Sequence, residues 1–324
     1  MKYKIEFKGE FVKEKSKGVI ALLDTSIILH NIRLGKNEAK FGAGLIDSLR
    51  ALKLAIGVDY IYCIGDSGHS SYRKKLLENY KGDRAVANKK LDDKASARLS
   101  EMRQFNKNLS KFNDIFFYRN IYELECDDIL GILYRELTEE GYEVLICSAD
   151  KDLYTAIPYR NLFDIKSGKQ YDFEAKLKSL SQTKFKMYQV LNGDSADSIT
   201  GFTGEKTSLM LVNHFKTFKA MQDFDLDNVL EIEGTTTRNK HHIVKALTSI
   251  KEDIGLEKIK LNWELVSIFT DRSKLTEKQE REFEKLKQDL LNWKPSGQIS
   301  DELELYLYEI GEAELMEDLE WWGI

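Results

Sequence analysis

Val19-Ile20-Ala21-Leu22-Leu23-Asp24 is a short apolar run closed by an acid. A strand buried on both faces reads as such a continuous run, not as an alternation. Two more segments share the form. Tyr60-Ile61-Tyr62-Cys63-Ile64 leads to Gly65-Asp66, and Val144-Leu145-Ile146-Cys147 leads to Ser148-Ala149-Asp150. Helical patterns separate them. Leu45, Leu49, Leu52 and Ile56 repeat at helical spacing from Gly44 onward. Leu130, Leu133, Tyr134 and Leu137 share a face between Asp127 and Glu140, with Gly141 as the stop. Strand, helix and strand in repetition predict an α/β fold, a mainly parallel twisted sheet flanked by helices. Ligands of such sheets bind beyond the carboxyl ends of the strands. Turn initiation accounts for one aspartate in that position; three out of three point to a shared site.

Working outward, residues 67–118 differ from the rest. Tyr72 to Lys111 holds 12 Lys+Arg against 5 Asp+Glu, a net +7, with Tyr72, Tyr80 and Phe105 interspersed. Its weak periodicity and lack of a clear apolar face predict an exposed, partly helical, mobile segment. From about residue 180 the chain reads as helical, with a pair over 184–191 and 206–215 around the loop 192–205. Further helical segments are expected near 239–250, 263–269 and 276–292. Residues 300–324 carry nine acids and no base, together with Leu303, Leu305, Leu307, Ile310, Leu315, Leu319, Trp321 and Trp322. These boundaries predict three parts: a catalytic domain over 1–180, a helical domain over 181–299 and an acidic tail over 300–324. Paired tryptophans at the end of a chain favour packing of that tail.

Composition narrows the class. The chain has 324 residues, 42% hydrophobic, 32% charged and only two prolines, which excludes disordered and collagen-like chains. Cys63, Cys126 and Cys147 are an odd number, with no C-x-x-C spacing, so neither a disulfide framework nor a cysteine zinc site is expected. Residues 1–17 lack the apolar core of a signal peptide, and no run approaches the ~20 apolar residues of a membrane span. A cytoplasmic protein is expected.

The acids near the expected strand ends and loops are Asp24, Asp66, Glu125, Asp127, Asp128, Asp150, Asp152, Asp194 and Asp197. Nine carboxylates in one place would repel, and many would protonate. Hard divalent cations remove that problem. Mg²⁺ takes one or two carboxylates directly and keeps waters, so a crowded set suggests two ions and acids that hold their waters. Two metals about 4 Å apart stabilise the attacking and leaving oxygens of a phosphoryl displacement. Local spacing supports this. One aspartate suffices as an N-cap, whereas Glu125-Cys126-Asp127-Asp128 has three acids. Asp150-Lys151-Asp152 directs two carboxylates one way only if the chain leaves the strand there.

Here the sequence resembles the 5′ nuclease superfamily, a PIN-like group of flap endonucleases and 5′–3′ exonucleases. Its layout is most similar to phage replicative ribonuclease H and phage 5′–3′ exonucleases. The resemblance rests on six segments in order: Leu22-Leu23-Asp24, Gly65-Asp66, Tyr80-Lys81-Gly82-Asp83-Arg84, Glu125-Cys126-Asp127-Asp128, Ser148 to Tyr154, and Gly193-Asp194-Ser195-Ala196-Asp197. It implies that Asp24, Asp66, Glu125 and Asp127 hold one Mg²⁺, with Asp128 beside them. Asp150, Asp152, Asp194 and Asp197 would hold or hydrate a second, with Mn²⁺ as a substitute. Lys81 and Arg84 would contact the scissile phosphate and act with Asp24, Asp66 and Asp150 in catalysis. Tyr80 would stack on a terminal base. Residues 67–118, with Arg73, Lys74 and Lys75, would form an arch around the 5′ strand.

One segment departs from the family. A hairpin between two helices usually grips duplex phosphates through amides and a monovalent cation. This chain shortens it to Gly201-Phe202-Thr203-Gly204-Glu205-Lys206-Thr207. Gly204, Lys206 and Thr207 remain as expected phosphate contacts, in a modified helix–hairpin–helix. Lys240, His241, His242 and Lys245 are further candidates, the adjacent histidines pointing to different sides of a helix. The implied activity is removal of RNA primers and 5′ flaps during DNA replication. The partners are DNA with a 5′ end or flap and RNA–DNA hybrids, with a single-strand-binding protein or sliding clamp on the tail. The implied protein is a monomer. Two rivals stay open at this point. A PIN-type single-strand ribonuclease would not use Asp194, Asp197 or the basic arch, and a non-catalytic DNA-binding protein would not need intact acids.

The formal charge of −5 fits this reading. The tail supplies −9, so residues 1–299 carry +4, and +13 once the nine clustered acids are set aside. Such a surface suits phosphates.

Overall fold

The computed structural model describes residues 16–32, 40–58, 60–68, 70–82, 86, 91–165, 169–170, 180–296 and 298–316. At its centre is a six-stranded sheet in the order β3-β2-β1-β4-β5-β6. The strands are β1 (Val19–Asp24), β2 (Ile61–Ile64), β3 (Phe117–Arg119), β4 (Glu143–Ser148), β5 (Leu162–Asp164) and β6 (Lys169–Gln170). The first five run parallel, and β6 pairs antiparallel with β5.

The continuous apolar runs arise because both sheet faces are covered. Side chains alternate along each strand. Ile20, Leu22, Tyr62, Ile64, Val144 and Ile146 enter one apolar cluster, beneath the helix Cys126–Glu139. Ala21, Leu23, Ile61, Cys63, Leu145 and Cys147 enter the other, against the helix Phe41–Ile56. That second helix ends at Gly57, whose φ of +71° provides a left-handed stop.

Three strands exceed the expected ones, and each is only two or three residues long. The expected exposed segment 67–118 also divides in two. The helix Asp93–Lys107 has an exposed polar face, but Phe105, Leu109, Phe112, Ile115, Phe116 and Phe117 are buried against the sheet. The apolar residues of 105–118 are therefore core, with Phe112 stacked on Phe116 at 5.4 Å.

The helices expected beyond residue 180 form as Gln182–Asn192, Glu205–His214, Lys240–Lys251, Asp253–Val266 and Glu277–Asn292. The expected segment 263–269 is helical only to Val266 and then extended. These helices add Phe185, Leu211, Ile243 and Phe283 to the same apolar cluster as strands β1, β2 and β4, so the core runs through residue 180 without a break. The acidic segment packs as well. The helix Asp301–Glu309 buries Leu303, Tyr306 and Leu307 on the second cluster, joined by Leu315. Glu312, 5% exposed, accepts from the Gly42 and Ala43 amides at 3.1 and 2.8 Å, satisfying free donors at the start of the helix Phe41–Ile56. Leu319, Trp321 and Trp322 lie outside the described residues. Among the described residues no helix is long and apolar enough to cross a membrane.

Candidate active site

Strand register builds the site. Asp24 pairs with Ile64, two residues before Asp66, and Leu23 pairs with Cys147, so Ser148 stands level with Asp24. Asp24 caps the helix Thr25–Asn31: its Oδ1 accepts from the Ser26 and Ile27 amides at 3.1 and 3.4 Å. Its Oδ2 accepts from Ser148 Oγ at 3.1 Å. Asp66 accepts from Ser26 Oγ at 3.1 Å and from the Cys126 amide at 2.9 Å, linking the end of β2 to the first turn of the helix Cys126–Glu139. Asp127 lies in that turn. Asp150 Oδ1 accepts from the Asp152 amide at 2.8 Å and starts the short turn Lys151–Thr155, where the chain leaves β4.

The last two acids come from a two-stranded hairpin, Gly193–Asp194 against Ile199–Thr200. Gly193 has φ +73°, and a Cβ there would stand 2.3 Å from the Gly201 nitrogen. Only glycine lets the strands approach so closely. Asp197 Oδ2 accepts from the Tyr80 hydroxyl at 3.1 Å, and its carbonyl accepts from the Lys81 amide at 3.1 Å.

The result is one cleft of about 200 Å³ lined by eight carboxylates: Asp24, Asp66, Glu125, Asp127, Asp150, Asp152, Asp194 and Asp197. Burial first, then Asp66 and Asp150, pushes Asp24 up to about 7. Burial and neighbouring aspartates push Asp127 and Asp152 well above the usual carboxylate range. Glu125 goes the other way. Burial acts to raise it, but Lys81 and Arg73 together hold it below its ordinary value. Lys81 Nζ reaches Glu125 Oε1 at 2.6 Å, placing a cation at the edge of the acidic cluster.

This donor set fits a hard divalent cation. It is all oxygen, concentrated and costly to ionise without a counter-charge. Among the described residues no three acid, imidazole or thiol groups close on one point to hold an ion unaided.

The profile of the family described as "5′-3′ exonuclease, N-terminal resolvase-like domain" matches residues 35–184. The match covers a little under half of the chain. The chain is similar to a 5′–3′ exonuclease of Buchnera aphidicola subsp. Schizaphis graminum, 26% identical over 270 residues, 76% of this chain and 88% of that one. DNA polymerase I of Bacillus subtilis is 27% identical over 216 residues, 64% of this chain and 22% of the polymerase. The chain thus matches only about a fifth of that relative's length. In fold it is similar to T5 5′-exonuclease, solved with divalent metal ions (zinc) bound. The TM-score is 0.68 at 16% identity, covering 85% of this chain and 99% of that one.

Several expected site residues stand elsewhere. Arg73 is not a surface contact for nucleic acid; it is 3% exposed. Its guanidinium bonds Asp128 through two nitrogens at 2.5 and 2.8 Å, Glu125 at 3.2 Å, and the Leu265 and Ser267 carbonyls at 3.0 and 2.7 Å. Asp128 is correspondingly not a metal ligand. It is fully buried, engaged by Arg73 and by the Phe269 amide at 3.1 Å. Tyr80, 4% exposed, cannot stack on a base in this arrangement, because its hydroxyl is committed to Glu125 and Asp197. Tyr72 and Phe105 are also packing residues.

Lys74 and Lys75 are exposed, as are Gly204 and Lys206, with Thr207 half-buried, at the start of the helix Glu205–His214. Arg84 lies outside the described residues. His241 and His242 are on the surface, but their rings lie only 3.8 Å apart, both on the solvent face of the first helical turn. Sequence reasoning missed Ser26, Ser148 and Gln189, which hold Asp66, Asp24 and Asp152. The two serines follow or precede an acid by two residues. Gln189 stands out only as an amide inside the apolar run Met187 to Leu191.

Proposed function

We propose that this chain is a Mg²⁺-dependent 5′ nuclease that hydrolyses phosphodiesters near 5′ ends. It removes RNA primers from RNA–DNA hybrids and 5′ flaps from DNA during replication. The observation that carries the reading is the convergence of eight carboxylates with Lys81 in one cleft at the carboxyl edge of a parallel sheet. A T5 flap endonuclease of similar fold, captured with DNA and metal ions, supports it.

Asp24, Asp66, Glu125 and Asp127 form one group of ion-holding residues, and Asp150, Asp152, Asp194 and Asp197 the other. Divalent ions bound there supply Lewis-acid stabilisation of the attacking and leaving oxygens. Ser148 and Ser26 fix the orientation of Asp24 and Asp66 in advance. Glu125 holds Lys81 in place at 2.6 Å, so that its ammonium stabilises charge developing on the scissile phosphate. The amides that begin the helix Glu205–His214, together with Lys206 and Thr207, suit a duplex phosphate. Exposed Lys74 and Lys75 are candidates for contact with the single strand.

Asp150→Asn tests the proposal, because an amide oxygen still accepts from the Asp152 amide while the charge is lost. Turnover of a 5′-labelled flap with Mg²⁺ is expected to fall by at least 100-fold, and unchanged turnover would sink the assignment. Preference for unstructured single-stranded RNA over the flap would instead give the site to the PIN-type reading.

A further inference from the structure

The helix Gln182–Asn192 turns two glutamines toward one short segment. Gln182 Nε2 donates to the Tyr154 carbonyl at 3.0 Å, and Gln189 Nε2 donates to Asp152 Oδ1 at 2.6 Å. Two helical turns apart, they share a face. Both acceptors belong to the turn Lys151–Thr155. The helix then runs directly into the hairpin that carries Asp194 and Asp197. It therefore joins the sheet-borne acids to the hairpin-borne ones.

Gln189 differs from Gln182 in kind. It is 7% exposed, sits among buried apolar neighbours and lines the acidic cleft. Its short contact with Asp152 identifies which end is the amide nitrogen, since a carboxylate ionised to hold a cation only accepts. The other end, Oε1, is buried, and among the described residues no hydrogen bond reaches it. A buried acceptor left in that state is destabilising, because its desolvation is not repaid. Native proteins seldom carry one unless a ligand, an ion's hydration shell or ordered water completes it. Eight carboxylates line the same cleft, so this neutral acceptor adds hydrogen-bonding capacity without adding repulsion.

We infer that Gln189 is a positioning residue for the divalent-ion site. Its Nε2 fixes the Asp152 carboxylate plane, and its Oε1 accepts a hydrogen bond from the cation's own hydration water. The inference rests on the reading of the cleft as an ion site. Groups that orient metal-holding carboxylates in this way typically change metal affinity 10–100-fold when removed.

Mn²⁺ alone serves as the probe, titrated into the full chain and followed by electron paramagnetic resonance. Gln189→Leu is expected to weaken Mn²⁺ binding about 10-fold or more. Gln189→Met, which keeps the side-chain length and removes both hydrogen bonds, is expected to do the same and covers the case in which the leucine variant misfolds. Gln182→Leu removes the neighbouring brace outside the cleft and is expected to leave Mn²⁺ affinity within twofold. Asp150→Asn separates the two levels of inference. If it weakens Mn²⁺ binding but the Gln189 variants do not, the role of Gln189 is overturned and the ion site stands. If wild type and Asp150→Asn bind alike, the ion-site reading fails and Gln189 falls with it. Equal weakening by Gln182→Leu and Gln189→Leu also overturns the inference, because helix docking alone would then explain the effect.

Discussion

Arg73→Met is the sharpest test of how the cleft is supported. The guanidinium has five N–H donors, and all five are used, on Asp128, Glu125 and the Leu265 and Ser267 carbonyls. Glu125 retains Lys81 at 2.6 Å and the Tyr80 hydroxyl at 3.2 Å. Asp128 keeps only the Phe269 amide and has no exposure. Removing one partner of a buried pair costs about 3–5 kcal/mol, because a charge is left behind. Equilibrium urea unfolding at pH 7 should show that loss. The double variant Arg73→Met, Asp128→Leu should recover most of it, since no buried charge then remains.

The pH dependence follows in sign. Burial already raises the Asp128 carboxyl, with Arg73 opposing. Without Arg73 it rises further, so the folded state takes up a proton that the unfolded state does not. The deficit of the single variant is therefore full above that raised value. It shrinks as pH falls toward the ordinary carboxylate range near ~4. A loss under about 1 kcal/mol, or a double variant no more stable than the single one, would refute the buried-network argument.

Three further outcomes are expected. Because Asp24 is pushed up to about 7, stability measured in EDTA should fall as pH rises from about 4 to about 7; Mg²⁺ at 100 times its dissociation constant should restore about 2.7 kcal/mol at pH 8, and a flat profile in thermal melts contradicts this. Gly193→Ala should cost more than the ~1–2 kcal/mol of a left-handed non-glycine residue, because its Cβ also meets the Gly201 and Ile199 backbone; urea unfolding reads this, and a neutral result contradicts the hairpin geometry. Glu312→Ala should cost about 1.5–3 kcal/mol, the range for hydrogen bonds to a charged group, and the same unfolding assay would count against the cap if it showed under ~0.5 kcal/mol.

The central strands were legible because burial on two faces leaves a plain mark, an apolar run ended by an acid. The three-residue strands Phe117–Arg119 and Leu162–Asp164 were not, since no period can be read from three residues. Seven of the eight aspartates proposed for the site face the cleft, as does Glu125, because each follows a strand or opens a turn. Asp128 looked the same in sequence, but one position along a helix is a rotation of about 100°, and it carries this residue from the cleft to Arg73. Arg73 itself was hidden in a basic run beside Lys74 and Lys75. Its partners lie 52, 55, 192 and 194 residues away, beyond the reach of local charge pattern. In the acidic segment, nine similar carboxylates concealed the one, Glu312, that caps a distant helix.

That cap has a consequence for synthesis. The carboxylate of Glu312 lies 270 residues beyond the amide of Gly42 that it satisfies. At roughly 5–20 residues per second, the ribosome takes on the order of 15–50 s to make the intervening chain. During that interval the helix Phe41–Ile56 has neither this acceptor nor the cover of Leu303, Tyr306 and Leu307 on its side of the sheet. The carboxylates of the acidic cleft are all made much earlier, the last of them Asp197, and its remaining lining residues end at Ile268. Synthesis thus sets an order of maturation, in which the chemistry is in place before the far face of the sheet is sealed.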